Sequence, residues 1–343
     1  MKGKLTFFPL GTVCIIAAIL SGVAGCSQNG TSAVGASAST AAVMPNTSVQ
    51  SGPATASNGI RGAAPNDTRP GWMAQLDTIF GWQGKIESAN IERFSLIPQI
   101  KVTFEEGIQA SPPLVLDGYA SFEMLPNGNV LLVGELPLLD QENSVVEPVM
   151  DRINAGGIIV TALHNHLLSE TPSVVYMHFS KAGSAAALAQ TVVSAMAASK
   201  ETYAKDDDSQ DSDDTTTLDV KTLTSIVQET PSVVDGVLEY TAEPRVFITE
   251  FGYAMPGPMG PESELDFQAA KGGAVAVFEF ALTEDQVDPV VRYLRNNHFD
   301  VTAVHNHWLL ENPRIIFVHA NEWGSPAYLA KVGRAVLSMT NQK

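Results

Sequence analysis

The chain has almost no cysteine: of 343 residues only Cys14 and Cys26 are cysteines. Everything downstream of Cys26 must fold without a disulfide and without a thiolate zinc site, held by core packing with or without a metal. Basic residues are scarce too, 20 Lys and Arg against 37 Asp and Glu, for a net charge of −17. Such a chain repels phosphate backbones, which excludes nucleic acid as a partner and favours solubility and cations. It has no Gly-x-Ser-x-Gly serine motif and no cysteine nucleophile in its body, so catalysis would have to run through a metal. Histidine is rare as well, seven in all, yet six of the seven fall in two short blocks and only His298 stands apart.

The first block is Val160-Thr-Ala-Leu-His164-Asn-His166-Leu-Leu-Ser-Glu170, then Pro172 and Val174-Val-Tyr-Met-His178. The second is Val301-Thr-Ala-Val-His305-Asn-His307-Trp-Leu-Leu-Glu311, then Pro313 and Ile315-Ile-Phe-Val-His319. The offset is 141 throughout: 164 to 305, 166 to 307, 178 to 319. Neutral imidazole is the commonest metal ligand among side chains.

Each block reads as a hairpin. The apolar, β-branched run before His166 is a strand, the Pro-containing polar stretch is a tight connection, and 174–179 is a second strand. With a turn centred on Thr171, His164 faces His178 directly, about 5 Å apart at Cβ and on one side of the sheet. His166 shares that side by the period-two rule. Three imidazoles then converge from one hairpin, the donor set of a three-His zinc site with an open fourth position. The competing reading is histidines bonded to backbone carbonyls in the core or at the rim, and duplication copies those as faithfully as ligands. A one-residue slip of register would put His178 on the other side.

Upstream of each hairpin lies an apolar strand carrying one acid. Glu135 sits in Val130-Leu-Leu-Val-Gly-Glu135-Leu and Glu279 in Val275-Ala-Val-Phe-Glu279-Phe. A buried carboxylate needs a partner. Beside three histidines it would be a fourth ligand, an acceptor that orients an imidazole, or a general base; otherwise it is an acid on the exposed side of an edge strand. Glu170 and Glu311, at the hairpin turns, read as solvated.

The rest of the chain frames these blocks. Lys2, Lys4, the apolar run 5–20 and the small residues before Cys26 form an export signal over 1–26. Removing it takes two lysines and no acid, leaving 18 basic against 37 acidic side chains, a net charge of −19. Residues 27–70, rich in Ser, Ala, Thr, Gly, Asn and Pro, read as a disordered tether. Repeat one spans 71–200, an acidic linker with Asp206 to Asp214 spans 201–217, and repeat two spans 218–343. The acid run lacks the Gly and Glu positions of an EF-hand and reads as a solvated loop.

Within each repeat the order is strand, helix, strand, strand, helix. Val145, Val146, Val149, Met150 and Ile153 mark one helix face, ended by Gly156-Gly157. Ser184 caps the next helix; in repeat two Thr283 with Gln286 forms a capping box, and Ser325 caps the last helix with Pro326 at its first turn. The expected class is α+β: two homologous repeats, each an antiparallel or mixed sheet with helices on one face, a ferredoxin-like or split βαβ arrangement.

Val23-Ala24-Gly25-Cys26 resembles the lipobox of bacterial lipoproteins, in which the cysteine is lipidated. With the tandem repeat and the blocks Leu163-His-Asn-His-Leu167, Met177-His-Phe179 and His305-Asn-His-Trp308, the chain resembles the LppY/LpqO type of bacterial lipoprotein, a family described by a domain of unknown function. The resemblance implies lipidation of Cys26 and an extracytoplasmic folded part anchored to the cell envelope; it brings no established activity. The spacing His-x-His-x3-Glu also matches the start of the cupin metal motif, but helices flank each hairpin where a cupin has strands. Three functions stay open: a metal or small-ligand binding protein with a divalent ion, zinc by donor type, at His164, His166 and His178 and at His305, His307 and His319; a metal-dependent hydrolase with zinc-activated water and Glu135 or Glu279 moving the proton; and a structural or interaction module without metal.

Overall fold

The structure, a computed structural model, describes residues 69–104, 107–139, 144–204 and 215–340. The export signal, most of the tether, Cys26 and the acidic run 206–214 lie outside the described residues.

Repeat one opens with α1 (Gly71–Phe80), β1 (Lys85–Ser88) and β2 (Ile91–Ser95), then the short α2 (Pro112–Val115). It continues through β3 (Tyr119–Met124), β4 (Val130–Leu139), α3 (Val146–Ala155), β5 (Ile159–His164), β6 (Val174–Gly183) and α4 (Ala185–Ser199). Repeat two runs α5 (Val220–Val227), β7 (Pro231–Val234), β8 (Val237–Ala242), a two-residue ribbon β9 (Thr249–Glu250) and β10 (Tyr253–Ala254), β11 (Ser263–Ala270) and β12 (Gly273–Thr283). It ends with α6 (Glu284–Asn296), β13 (Asp300–His305), β14 (Ile315–Gly324) and α7 (Pro326–Met339).

The two six-stranded sheets have the same order, β1-β2-β3-β4-β6-β5 and β7-β8-β11-β12-β14-β13, with every pairing antiparallel. β4 and β5 are therefore parallel to each other and split by β6, the expected split βαβ unit. The slot beside β4 that a closing strand fills in a ferredoxin-like fold is taken by β3, from upstream. The class is α+β with two repeats.

Period-two alternation sorts each central strand. Leu132, Leu136 and Leu138 of β4, with Met177 and Phe179 of β6, face Leu76, Val149, Ile153, Leu188 and Val192 of the helices. Phe278, Phe280 and Val318 do the same against Leu223, Leu294, Leu329 and Val336 in repeat two. The other face of each sheet is buried as well: Leu131 and Val133 of repeat one share a core with Ala281, Trp308 and Phe317 of repeat two. A second such core joins Leu114, Val174 and Tyr176 to Val237, Val275 and Val277. The layers run helices, sheet, sheet, helices, and the sheets' inner faces meet. The repeats, expected as separate domains, lie in one compact unit.

Two local expectations are corrected. Ser184 precedes α4 and Ser325 precedes α7, but neither side chain makes a capping bond. Glu135 and Glu279 lie on central strands, so the exposed edge reading fails; Glu135 is 4 % exposed. In α6 the Thr283 N–H donates to Gln286 Oε1 at 3.0 Å, as the box pattern requires. Met255 and Met259 pack in the inter-sheet core.

Candidate metal centre

Each histidine hairpin is built on one irregularity. β5 pairs with β6 so that His164 stands opposite Tyr176 and Ala162 opposite His178, with a bulge between Val160 and Ala162. β13 and β14 repeat this, with His305 opposite Phe317 and a bulge between Val301 and Ala303. The predicted pairing of His164 with His178 is therefore wrong: the turn centres on Glu170, and His178 moves two places along. Because the displacement is even, all three histidines keep the same face. On its other side β6 pairs with β4 so that His178 stands opposite Glu135, and β14 pairs with β12 so that His319 stands opposite Glu279.

The six histidines do not form two isolated triads. They meet at the interface of the sheets, related by a pseudo-twofold axis. His164 stacks on His305 with ring centroids 3.5 Å apart. His166 stacks on His319 at 4.2 Å, and His178 on His307 at 4.0 Å, the same pair seen from the other repeat. Three groups bring one nitrogen from each member within 4.8 Å of the others: His164, His178 and His305; His164, His166 and His319; and His305, His307 and His319. The self-contained triad expected in each repeat thus forms in repeat two, while the groups that include repeat-one histidines borrow from repeat two.

The carboxylates close the ring. Glu135 Oε1 lies 2.9 Å from His166 Nε2 and 3.4 Å from His178 Nε2. Glu279 Oε1 lies 3.4 Å from His307 Nε2, and its Oε2 3.1 Å from His319 Nε2. Of these only the His166 contact has hydrogen-bond geometry. Both nitrogens of His164 and His307, and Nε2 of His178, His305 and His319, are buried without a hydrogen-bond partner. Among the described residues, the histidine nitrogen that lies against a backbone carbonyl is His305 Nδ1, 3.1 Å from that of Asn306. A buried polar atom left unpaired costs about 1–3 kcal/mol, so this cluster is expensive unless something meets those nitrogens.

Burial dominates the titration. It pushes all six imidazoles below the ordinary histidine range, His305 to about 4, with the neighbouring histidines adding to the effect on the other five. Neutral imidazole is the form that binds metal. Burial, then neighbouring acids, pushes Glu135 and Glu279 well above the carboxylate range. A cation among them would reverse that, since its own charge is the largest in such a site.

Residues that the sequence reading passed over hold the rings in place. Tyr176 stacks on His166 at 3.5 Å and Phe317 on His307 at 3.3 Å, the ring planes nearly parallel in both. The bulged Thr161 donates its hydroxyl to the carbonyl of His307, and Thr302 donates to that of His166, both at 2.5 Å. Asn165 Nδ2 donates to the Val174 carbonyl at 2.8 Å, and Asn306 Nδ2 to those of Trp308 at 2.8 Å and Thr161 at 3.0 Å. Recurrence of Thr, Asn and an aromatic at matched offsets was the available signal. Glu170 and Glu311, expected in solvent, are buried at the turns; Glu170 Oε1 accepts from the Val174 N–H at 2.9 Å rather than facing the histidines. Gly134, beside Glu135, has no room for a side chain: a Cβ would lie 2.5 Å from both the Phe179 ring and the Tyr119 carbonyl.

No curated protein matches the chain. A family model does, twice, and its two segments coincide with the two sheets and their helices. With residues 74–198 and 221–339 matched, the chain belongs to the family described as Domain of Unknown Function (DUF1259).

Proposed function

We propose that this protein is an exported, lipid-anchored envelope protein of the LppY/LpqO type that binds divalent metal, zinc by its donors, at the His–Glu ring between its repeats. The observation that carries the reading is the set of buried imidazole nitrogens, gathered in overlapping triads, that have no protein partner. Histidines retained for structure would be bonded to backbone carbonyls; among the described residues the His305 contact alone is of that kind. The donors fit zinc: imidazole with carboxylate and no thiolate. His164 and His166 lead from repeat one, His305, His307 and His319 from repeat two, and His178 joins through His164 and His305. Cys26 would carry the lipid and tie the protein to the membrane, with the folded part outside the cytoplasm.

A second reading, a metal-dependent hydrolase, draws on one further feature. A cavity of about 450 Å³ between the sheets is lined by Glu135, His166, Glu279, His307 and His319. Bound zinc supplies Lewis acidity and lowers the pKa of water in an open position to about 7. Glu135 and Glu279, on the cavity wall, are the groups placed to hold and move a proton.

Elemental analysis of the folded part, beginning near Gly71, tests the first reading. Stoichiometric metal, lost in His164→Ala and His305→Ala, is expected; metal-free protein of unchanged stability would leave the structural-module reading. Hydrolase screening with and without chelator separates binding from turnover.

A further inference from the structure

The duplication keeps the histidines and breaks the symmetry of the wall beside them. In repeat two, register places Glu264 directly opposite Glu279, and Asp266 directly opposite Glu239. The four acids step across β12, β11 and β8 on one face of the sheet. Like charges opposed in a sheet are destabilising. The matched positions of repeat one carry Tyr119 opposite Glu135, and Ser121 opposite Arg93. One wall is a ladder of carboxylates and the other is aromatic, hydroxylic and basic.

Both walls face the 450 Å³ cavity, whose lining includes eight carboxylates and two bases, Lys85 and Arg93. Both bases make their close contacts away from the ladder and act on it only through space, Arg93 on Glu264 and Lys85 on Glu239. Lys85 pairs with Glu87 at 2.9 Å, and Arg93 lies over the Tyr119 ring at 3.8 Å with Asp117 at 3.9 Å. Glu264 and Asp266 are half-buried, and both line the cavity. The inner end is formed by His307 and His319, 3 % and 2 % exposed, with nitrogens that have no hydrogen-bond partner. The volume falls in the range of small-molecule sites, about 300–1,000 Å³, and is far larger than an ion needs. Leu114, Val115 and Val277 add an apolar strip to the lining, which suits a hydrocarbon chain and gives a hydrated ion nothing.

We propose that the cavity binds a small organic cation, an alkyl polyamine, with its ammonium groups on the Glu239–Asp266–Glu264 ladder and its methylenes on the Leu114–Val277 strip. The ladder crosses one strand spacing and two residues of β11, about 8 Å from end to end, long enough for more than one ammonium group. The ligand's far end meets His307 and His319, so as a statement of what reaches the metal centre the inference rests on the metal reading; as a statement of cation binding it does not.

The test is calorimetric titration of the full chain with spermidine and putrescine, and with Ca²⁺ alone as a separate arm. Wild type is compared with the Glu264→Gln/Asp266→Asn double variant. Spermidine is expected to bind stoichiometrically and to weaken about tenfold or more for each carboxylate removed, with metal content unchanged. Should the double variant fail to fold, Glu239→Gln alone supplies the same comparison. Amine binding by chain that holds no metal supports the inference while removing the metal reading. No amine binding by wild type, equal binding by the variants, or binding of Ca²⁺ but of neither amine overturns it.

Discussion

Thr161 in repeat one donates a hydroxyl hydrogen bond to the backbone carbonyl of His307 in repeat two, 2.5 Å away, and Thr302 in repeat two donates one to the carbonyl of His166. Each bulge thus fixes the backbone that carries the other repeat's second histidine. Thr161→Val keeps the shape and removes the donor. It should cost about 1–3 kcal/mol, the penalty for leaving a buried acceptor unpaired, as read by denaturant unfolding, and Thr302→Val should match it.

His164 belongs to two of the three triads, and each of those includes a histidine from repeat two. Independent sites would lose half the metal in His164→Ala. The shared ring predicts a loss greater than half, measured by elemental analysis after gel filtration. His298 lies beyond α6 with φ of +67°, a conformation asparagine tolerates; His298→Asn should retain wild-type metal content.

Glu279 spans His307 and His319 with its two oxygens. Glu279→Gln preserves shape and removes the charge. Partners of ligating histidines typically govern about 10–100-fold in metal affinity, and competition against a chelator should show a loss of that order. Glu135→Gln should behave alike, because Glu135 holds the same place against His166 and His178.

The metal-free protein should lose stability as pH rises. Burial, first among the causes, lifts Glu239 and Glu250 to about 7 and Glu264 to about 8, from 4.5. For an acid whose folded pKa is raised, the protonated form is favoured by folding. Its contribution is complete below the unfolded pKa and disappears as pH rises through the folded one. Thermal unfolding in chelator should therefore shift to lower temperature between about pH 6.5 and pH 8, above the range in which the depressed imidazoles act in the opposite sense, and Glu264→Gln should flatten that slope. A midpoint that rises across this window contradicts the assignment.

The histidine hairpins, the strand–helix–strand–strand–helix order and the acid in each central strand were legible because alternation and spacing encode them locally. Register was not, because a bulge at Thr161 or Thr302 leaves no mark in composition. The meeting of the two sheets was hidden for a different reason. Residues 130–138 are buried without interruption, so the strand shows no polar face to reveal that its second side is covered. That unbroken run was itself the clue that something else packs there, and it is the other repeat.

The His164–His305 stack marks where the two halves exchange ligands. A lone half, cut free of its sibling, would own three of the six imidazoles and lack the stack. It could complete the ring only by pairing with another copy of itself, inner face to inner face. The duplicated chain carries that homodimer as a single molecule, and the fusion freed one wall to become acidic while the other did not.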